Sequence, residues 1–155
     1  MNFARLVASG FGSGLAPKAP GTAGSLAALL IGALLMLLLP PLALPFATLL
    51  ASLGGLWAIG AARVEGDPGW VVIDEFAGMW ITMLGLARVT PIGLIVAFLL
   101  FRLLDIVKPG PVGWADRQKG AAGIMADDII AGAIGAGILW ALRSRFPGLL
   151  GGGLG

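Results

Sequence analysis

The chain of 155 residues is 58% hydrophobic with a mean hydropathy of +0.98, and its charged fraction of 12% is about half that of an ordinary soluble domain. These values exclude a water-soluble monomer and predict an all-α, polytopic membrane helical bundle with about four to five membrane helices, since each crossing takes roughly 20 residues. The formal net charge of +2 leaves no nucleic-acid footprint, and the lack of Cys and His excludes thiolate and imidazole chemistry, so any catalysis must use carboxylates, Lys, Arg, hydroxyls, backbone groups and metal.

The first 25 residues hold only a short apolar stretch broken by glycines, a poor signal peptide that is expected to stay in the mature protein. A first long apolar run, Ser25 to Leu39, ends at Pro40, Pro41 and Pro45, and a second runs from Phe46 to Ala62. Together they predict a helical hairpin turned at the prolines. A third segment covers Val71 to Ala87, a fourth Ile92 to Val107 and a fifth Ile124 to Leu142, with polar loops at 63–70 and 108–123. The whole of 1–155 reads as one membrane domain, with a disordered tail from about 147 to 155. The fifth segment carries Ala131, Gly132, Gly135 and Ala136, and the third carries Gly78; small residues at helical spacing let helices approach closely in lipid.

All eight acidic residues lie between Glu65 and Asp128. Asp74, Glu75, Asp105, Asp127 and Asp128 fall inside apolar segments or within a turn of their ends, where an isolated carboxylate costs about 2.5–3.5 kcal/mol at mid-membrane, so the cluster implies partners. If the segments alternate in direction, the starts of the third and fifth and the end of the fourth share one side, and the five acids converge at similar depth. Arg5, Lys18, Arg63, Arg102, Lys108, Arg117 and Lys119 fall on that side, against Arg88, Arg143 and Arg145 on the other. The positive-inside rule makes the acidic side cytoplasmic.

Complementing helix dipoles would account for Asp74, Glu75, Asp127 and Asp128 at helix starts, each about one turn into its segment. It does not account for Asp105 at a helix end, which Arg102 and Lys108 could neutralise by pairing at helical spacing. Carboxylates without His or Cys suit a hard cation such as Mg²⁺. Lys108, Arg117, Lys119 and Arg102 are candidate phosphate contacts beside them. The glycine-rich stretch Pro20 to Ser25, leading into the first helix, is either an anion site or ordinary capping.

Four ordered blocks carry a family resemblance. Residues 15–25, LAPKAPGTAGS, are similar to an N-terminal APGT-x-GS element; 74–82, DEFAGMWIT, to a DE-x-x-G-M-W block; and 101–111, FRLLDIVKPGP, to an FR-x-x-D-x-x-KP-x-P block. Asp116-Arg117 and the stretch from Gly120 to Gly132 are similar to a block ending in M-x-DD-x-x-AG, although Ala121-Ala122 stands where a glycine-richer stretch is common. The chain thus resembles the phosphatidylglycerophosphatase A family.

The resemblance implies Mg²⁺-dependent hydrolysis of phosphatidylglycerophosphate to phosphatidylglycerol and phosphate, in a multi-pass protein of the bacterial inner membrane among membrane lipids. The expected metal ligands are drawn from Asp74, Glu75, Asp105, Asp127 and Asp128, with Glu75, Asp105 and Asp128 as catalytic groups. The expected phosphate contacts are Lys18, Thr22, Arg102, Lys108 and Arg117. No phosphohistidine or thiol mechanism is open to the chain, and the D-G-x-x-A-R pattern of CDP-alcohol transferases is absent. The alternatives are an ion- or proton-coupled transporter, which would want its acids near the midplane, and a non-catalytic membrane subunit with the acids as interhelical glue.

Overall fold

The computed structural model describes residues 2–147 and 150. The expected disordered tail therefore lies largely outside the described residues. Among the described residues seven helices follow in order: α1 (Phe3–Ala8), α2 (Pro20–Leu38), α3 (Ala43–Ala61), α4 (Ile73–Met83), α5 (Pro91–Val107), α6 (Pro111–Asp116) and α7 (Gly120–Arg145), with a 3-10 turn at Ser13–Leu15 between α1 and α2.

Local chemistry sets most boundaries. Proline occupies the first turn of α2, α5 and α6, where its missing N–H leaves no bond unmade. Thr90 caps α5 by accepting the amide of Gly93 at 3.0 Å. At the other end Lys108 stops α5 in the left-handed conformation, with φ 50°, and Pro109 follows.

Three helices, α2, α3 and α7, are long and apolar enough to cross a membrane. Helix α5, 17 residues long, sets Ile92, Ile95, Leu99, Leu103 and Ile106 along one exposed stripe, the composition of a lipid-facing surface, and spans roughly 25 Å. The third apolar segment differs from the rest. Its helix, α4, has 11 residues, of which ten are buried, and at about 1.5 Å per residue it covers roughly half the hydrocarbon core. It is a short central post surrounded by α2, α3, α5 and α7, so its hydrophobicity serves internal packing.

Glycine contacts fix the directions. An added Cβ at Gly21 would lie 2.5 Å from Glu75 Oε1, and one at Gly32 would lie 2.7 Å from Met83 Sδ. Helices α2 and α4 therefore run parallel. On α7, Gly132 packs on the Gly78 backbone and Gly135 on Thr82, so α4 and α7 also run parallel. Phe101 of α5 lies against Gly78, which brings the C-terminal turn of α5 to the start of α4. The Trp80 indole N–H donates to the Ala28 carbonyl at 2.7 Å, tying α4 to α2 through a buried polar pair.

The tightest approach is between α4 and α7, where a Cβ on Gly78 would stand 2.5 Å from both the Asp128 carbonyl oxygen and the Phe101 ring. Gly78→Ala should lower the thermal unfolding midpoint in detergent, with a cost of about 1–3 kcal/mol as in overpacked cores. Gly54→Ala and Gly137→Ala, whose added Cβ meets nothing within 4 Å, should leave the midpoint unchanged or slightly raised. An undiminished midpoint for Gly78→Ala would show that the two backbones do not meet as described.

Candidate metal and phosphate site

The parallel α4 and α7 bring their acids level, and antiparallel α5 adds its last turn. Asp74, Glu75 and Asp128 each offer a carboxylate oxygen within 4.8 Å of the others, and so do Asp105, Asp127 and Asp128. Asp128 belongs to both triads. All five carboxylates line one cavity of about 160 Å³, together with Pro20, Gly21, Asp67, Gly69, Val71 and Lys108. The convergence expected from alternating topology is thus the observed geometry.

Burial makes this arrangement demanding. Asp74, Glu75, Asp127 and Asp128 are all buried, and Glu75 Oε2 and Asp128 Oδ1 have no hydrogen-bond partner within the protein. Buried anionic oxygens without a donor are expensive unless a cation meets them. The residues present therefore fit a divalent cation with oxygen ligands.

Two basic side chains reach the acids. Arg102 Nη1 donates to Asp105 Oδ2 and, at 3.3 Å, to the Ser25 hydroxyl, which itself donates to the Gly21 carbonyl at 2.8 Å. Lys108 Nζ pairs with Asp116 and, at 2.7 Å, with Asp127. Partial burial works against its charge, but these two ion pairs outweigh that and hold the ammonium above the ordinary lysine range. Of the two cations expected to neutralise Asp105, Arg102 does so and Lys108 turns instead to Asp116 and Asp127.

Asp74 and Glu75 occupy the first turn of α4, where the helix dipole favours them. Asp127 and Asp128 do not occupy the first turn of α7, because that helix begins at Gly120 and not at Ile124. The small-residue stretch Gly120-Ala121-Ala122-Gly123 adds a turn before the apolar run, so these two acids stand two turns in, beyond the reach of the dipole. Their burial points to each other and to Asp105.

The remaining expected phosphate contacts are less central. Lys18 and Thr22 are exposed and do not line the cavity; their segment contributes Gly21 to its wall and Ser25 to Arg102. Arg117 is exposed and lines an adjoining cavity of about 380 Å³. Asp67 was not among the expected site residues, yet it lines both cavities. Its only signal in the sequence was a carboxylate in a loop that opens on the acidic side.

Comparison with known proteins gives the same direction. Residues 6–143 match the family model for phosphatidylglycerophosphatase A. This chain belongs to the phosphatidylglycerophosphatase A family. The Escherichia coli K12 phosphatidylglycerophosphatase A is 43% identical over 146 residues, covering 92% of this chain and 84% of that protein. The Haemophilus influenzae protein of the same name is 35% identical over 147 residues, covering 92% and 90%. A Bacteroides thetaiotaomicron protein provisionally named a phosphatidylinositol-3-phosphatase is 43% identical over 137 residues, covering 82% and 85%. No solved structure matches significantly. The chain is accordingly a membrane-embedded phosphatase of phospholipid metabolism, which replaces the transporter and non-catalytic alternatives.

The two ion pairs of Lys108 differ in setting, since the Asp127 side chain is 8% exposed and that of Asp116 is 40% exposed. Lys108→Gln should strand a buried carboxylate and destabilise the phosphatase by about 3 kcal/mol. Asp116→Asn should cost no more than about 1 kcal/mol. Melting of both variants in detergent with EDTA tests this, and equal small shifts would show that Lys108 does not hold Asp127.

Proposed function

We propose that this phosphatase removes the terminal phosphomonoester of phosphatidylglycerophosphate, giving phosphatidylglycerol and phosphate, with Mg²⁺ as cofactor and at the cytoplasmic face of the bacterial inner membrane. The observation that carries the reading is the pair of carboxylate triads joined at Asp128, with oxygens of Glu75 and Asp128 that no protein donor meets. A donor set made only of carboxylates suits a hard cation, and Mg²⁺ commonly takes one or two of them together with substrate phosphate oxygens.

Asp74, Glu75, Asp105, Asp127 and Asp128 are the residues that would hold Mg²⁺. Bound there, it supplies charge neutralisation for the phosphoryl oxygens and activates water for attack. Around it the side chains divide the work. Lys108, on the cavity wall between Asp116 and Asp127, orients the phosphoryl group by charge. Asp105 accepts a proton from the attacking water. Arg102, anchored on Ser25, fixes the orientation of the Asp105 carboxylate. The acyl chains remain in lipid, because the site lies at the end of the bundle where α2, α4 and α7 begin.

The substrate assignment rests on the two relatives named for that lipid. The lipid in the Bacteroides relative's name also carries a phosphomonoester on a polyol headgroup, so the same chemistry would serve both. Cytoplasmic placement is supported by the excess of Lys and Arg on the acidic side.

Purified protein should release phosphate from phosphatidylglycerophosphate in mixed micelles with Mg²⁺, stop when treated with EDTA, and recover when Mg²⁺ is restored. Little release from well-folded protein in either condition would remove the assignment, and full turnover after exhaustive chelation would remove the metal.

Asp105→Asn discriminates a catalytic carboxylate from a structural one, because Asp105 is also the ion-pair partner of Arg102. The variant should keep its melting temperature within a few degrees while turnover at saturating Mg²⁺ falls at least about 10²-fold, the lower range of general-base effects. A stable variant with near-normal turnover takes Asp105 out of the mechanism. A large loss of stability assigns it to Arg102 alone.

A further inference from the structure

The carboxylate cavity has a neighbour that the hydrolytic step does not use. This second cavity, of about 380 Å³, shares Asp67 and Asp127 with the first and carries Arg117 and Lys119 on its wall. Among the described residues, neither Arg117 nor Lys119 forms an ion pair. Two of its three carboxylates, Asp116 and Asp127, share the single ammonium of Lys108, so with Arg117 and Lys119 the charges around the cavity roughly balance, and these two cations are the ones not already held in an ion pair.

These cations sit on a closely built turn. Arg117 ends α6 and Lys119 stands just before α7 with extended backbone. Between them the Gln118 amide N–H donates to the Ala115 carbonyl at 2.9 Å, and its side-chain amide donates to the Trp114 carbonyl at 3.1 Å. Gly123 of α7 packs directly on the Gln118 backbone, with 2.5 Å from an added Cβ to the Gln118 carbonyl carbon. Any side chain at 123 would push the turn away.

From the proposed phosphatase reading, on which this step rests, the substrate carries two phosphates of different kinds. The monoester is cleaved and the diester, bearing one negative charge, joins the headgroup to the diacylglycerol. The first cavity is acidic and has room for little more than a phosphoryl group. The second is larger and offers a guanidinium fork with an ammonium, the pairing that recognises phosphate oxygens. We infer that Arg117 and Lys119 bind the substrate's phosphodiester in this adjoining cavity, and so set specificity for lipids that carry a phosphomonoester on a diester-linked headgroup. Arg117 thereby moves from the cleaved phosphate to the retained one.

The test compares wild type with Arg117→Gln, Lys119→Gln and the double variant on phosphatidylglycerophosphate in mixed micelles, with two soluble inhibitors. Glycerophosphoglycerol presents the diester alone, and inorganic phosphate presents the site of the monoester. The double variant should raise KM at least about 10-fold with kcat within about threefold, the pattern of lost ground-state and transition-state binding in equal measure. Inhibition by glycerophosphoglycerol should weaken about as much as KM rises, while inhibition by phosphate stays unchanged. Arg117→Lys should recover part of the KM, and melting temperatures of all variants should match wild type. An unchanged KM with normal turnover overturns the assignment, as does an equal weakening of both inhibitors. A wild type that does not hydrolyse this lipid defeats the functional reading itself, a failure visible before any variant is compared.

Discussion

Gly78 and Gly132 let α4 and α7 meet backbone to backbone, and the acid site depends on that approach. In a membrane interior there is little hydrophobic force between helices, so contact depends on close packing, and small residues supply it. The register of the contact sets the chemistry. Asp74 and Glu75 lie one helical turn before Gly78, and Asp128 lies one turn before Gly132. Because the two helices run parallel, matching the glycines brings those carboxylates to the same level. Phe101, wedged against Gly78, does the same for Asp105, which follows it by one turn on α5.

The electrostatic design follows from that crowding. Carboxylates gathered in a low-dielectric interior repel each other and lose hydration, and two ion pairs do not balance five acids. Arg102 and Lys108 take up Asp105 and Asp127, while Asp74 keeps to the start of α4 and accepts the Glu75 amide at 3.1 Å. What remains unmet is concentrated on Glu75 and Asp128. A phosphatase gains from this arrangement, since a site built to attract a divalent cation also attracts, through it, the phosphate dianion that carboxylates alone would repel.

Helix α4 shows why such a site can exist in a bundle of this size. A full-length crossing helix would carry its first turn to the membrane surface, where water would solvate the acids. A helix of 11 residues, covered by α2, α3, α5 and α7, keeps its first turn inside the protein, where Asp67, Gly69, Val71 and Lys108 line the cavity beside its acids. The start of α2 completes the enclosure, with Gly21 against Glu75. Asp67 and Asp127 line both this cavity and the adjoining one that holds Arg117 and Lys119, so the two cavities share a wall.

The sequence by itself determined the all-helical membrane class, through its hydropathy, and the meeting of acids at one end, through the alternation of apolar segments. It also offered Arg102 and Lys108, each three residues from Asp105, as helical neighbours able to pair with it, and Arg102 is the one that does. Those features follow from short-range periodicity and from the solvent. Only the tertiary structure decided that α4 is an internal post, because an apolar run bounded by lipid and one bounded by protein have the same composition. Likewise, the choice of Lys108 for Asp116 and Asp127, the contribution of Gly21 in place of Lys18 and Thr22, and the place of Asp67 between two cavities depend on contacts between residues distant in the chain. No spacing along the sequence encodes such contacts; they are set by which glycines allow which backbones to touch.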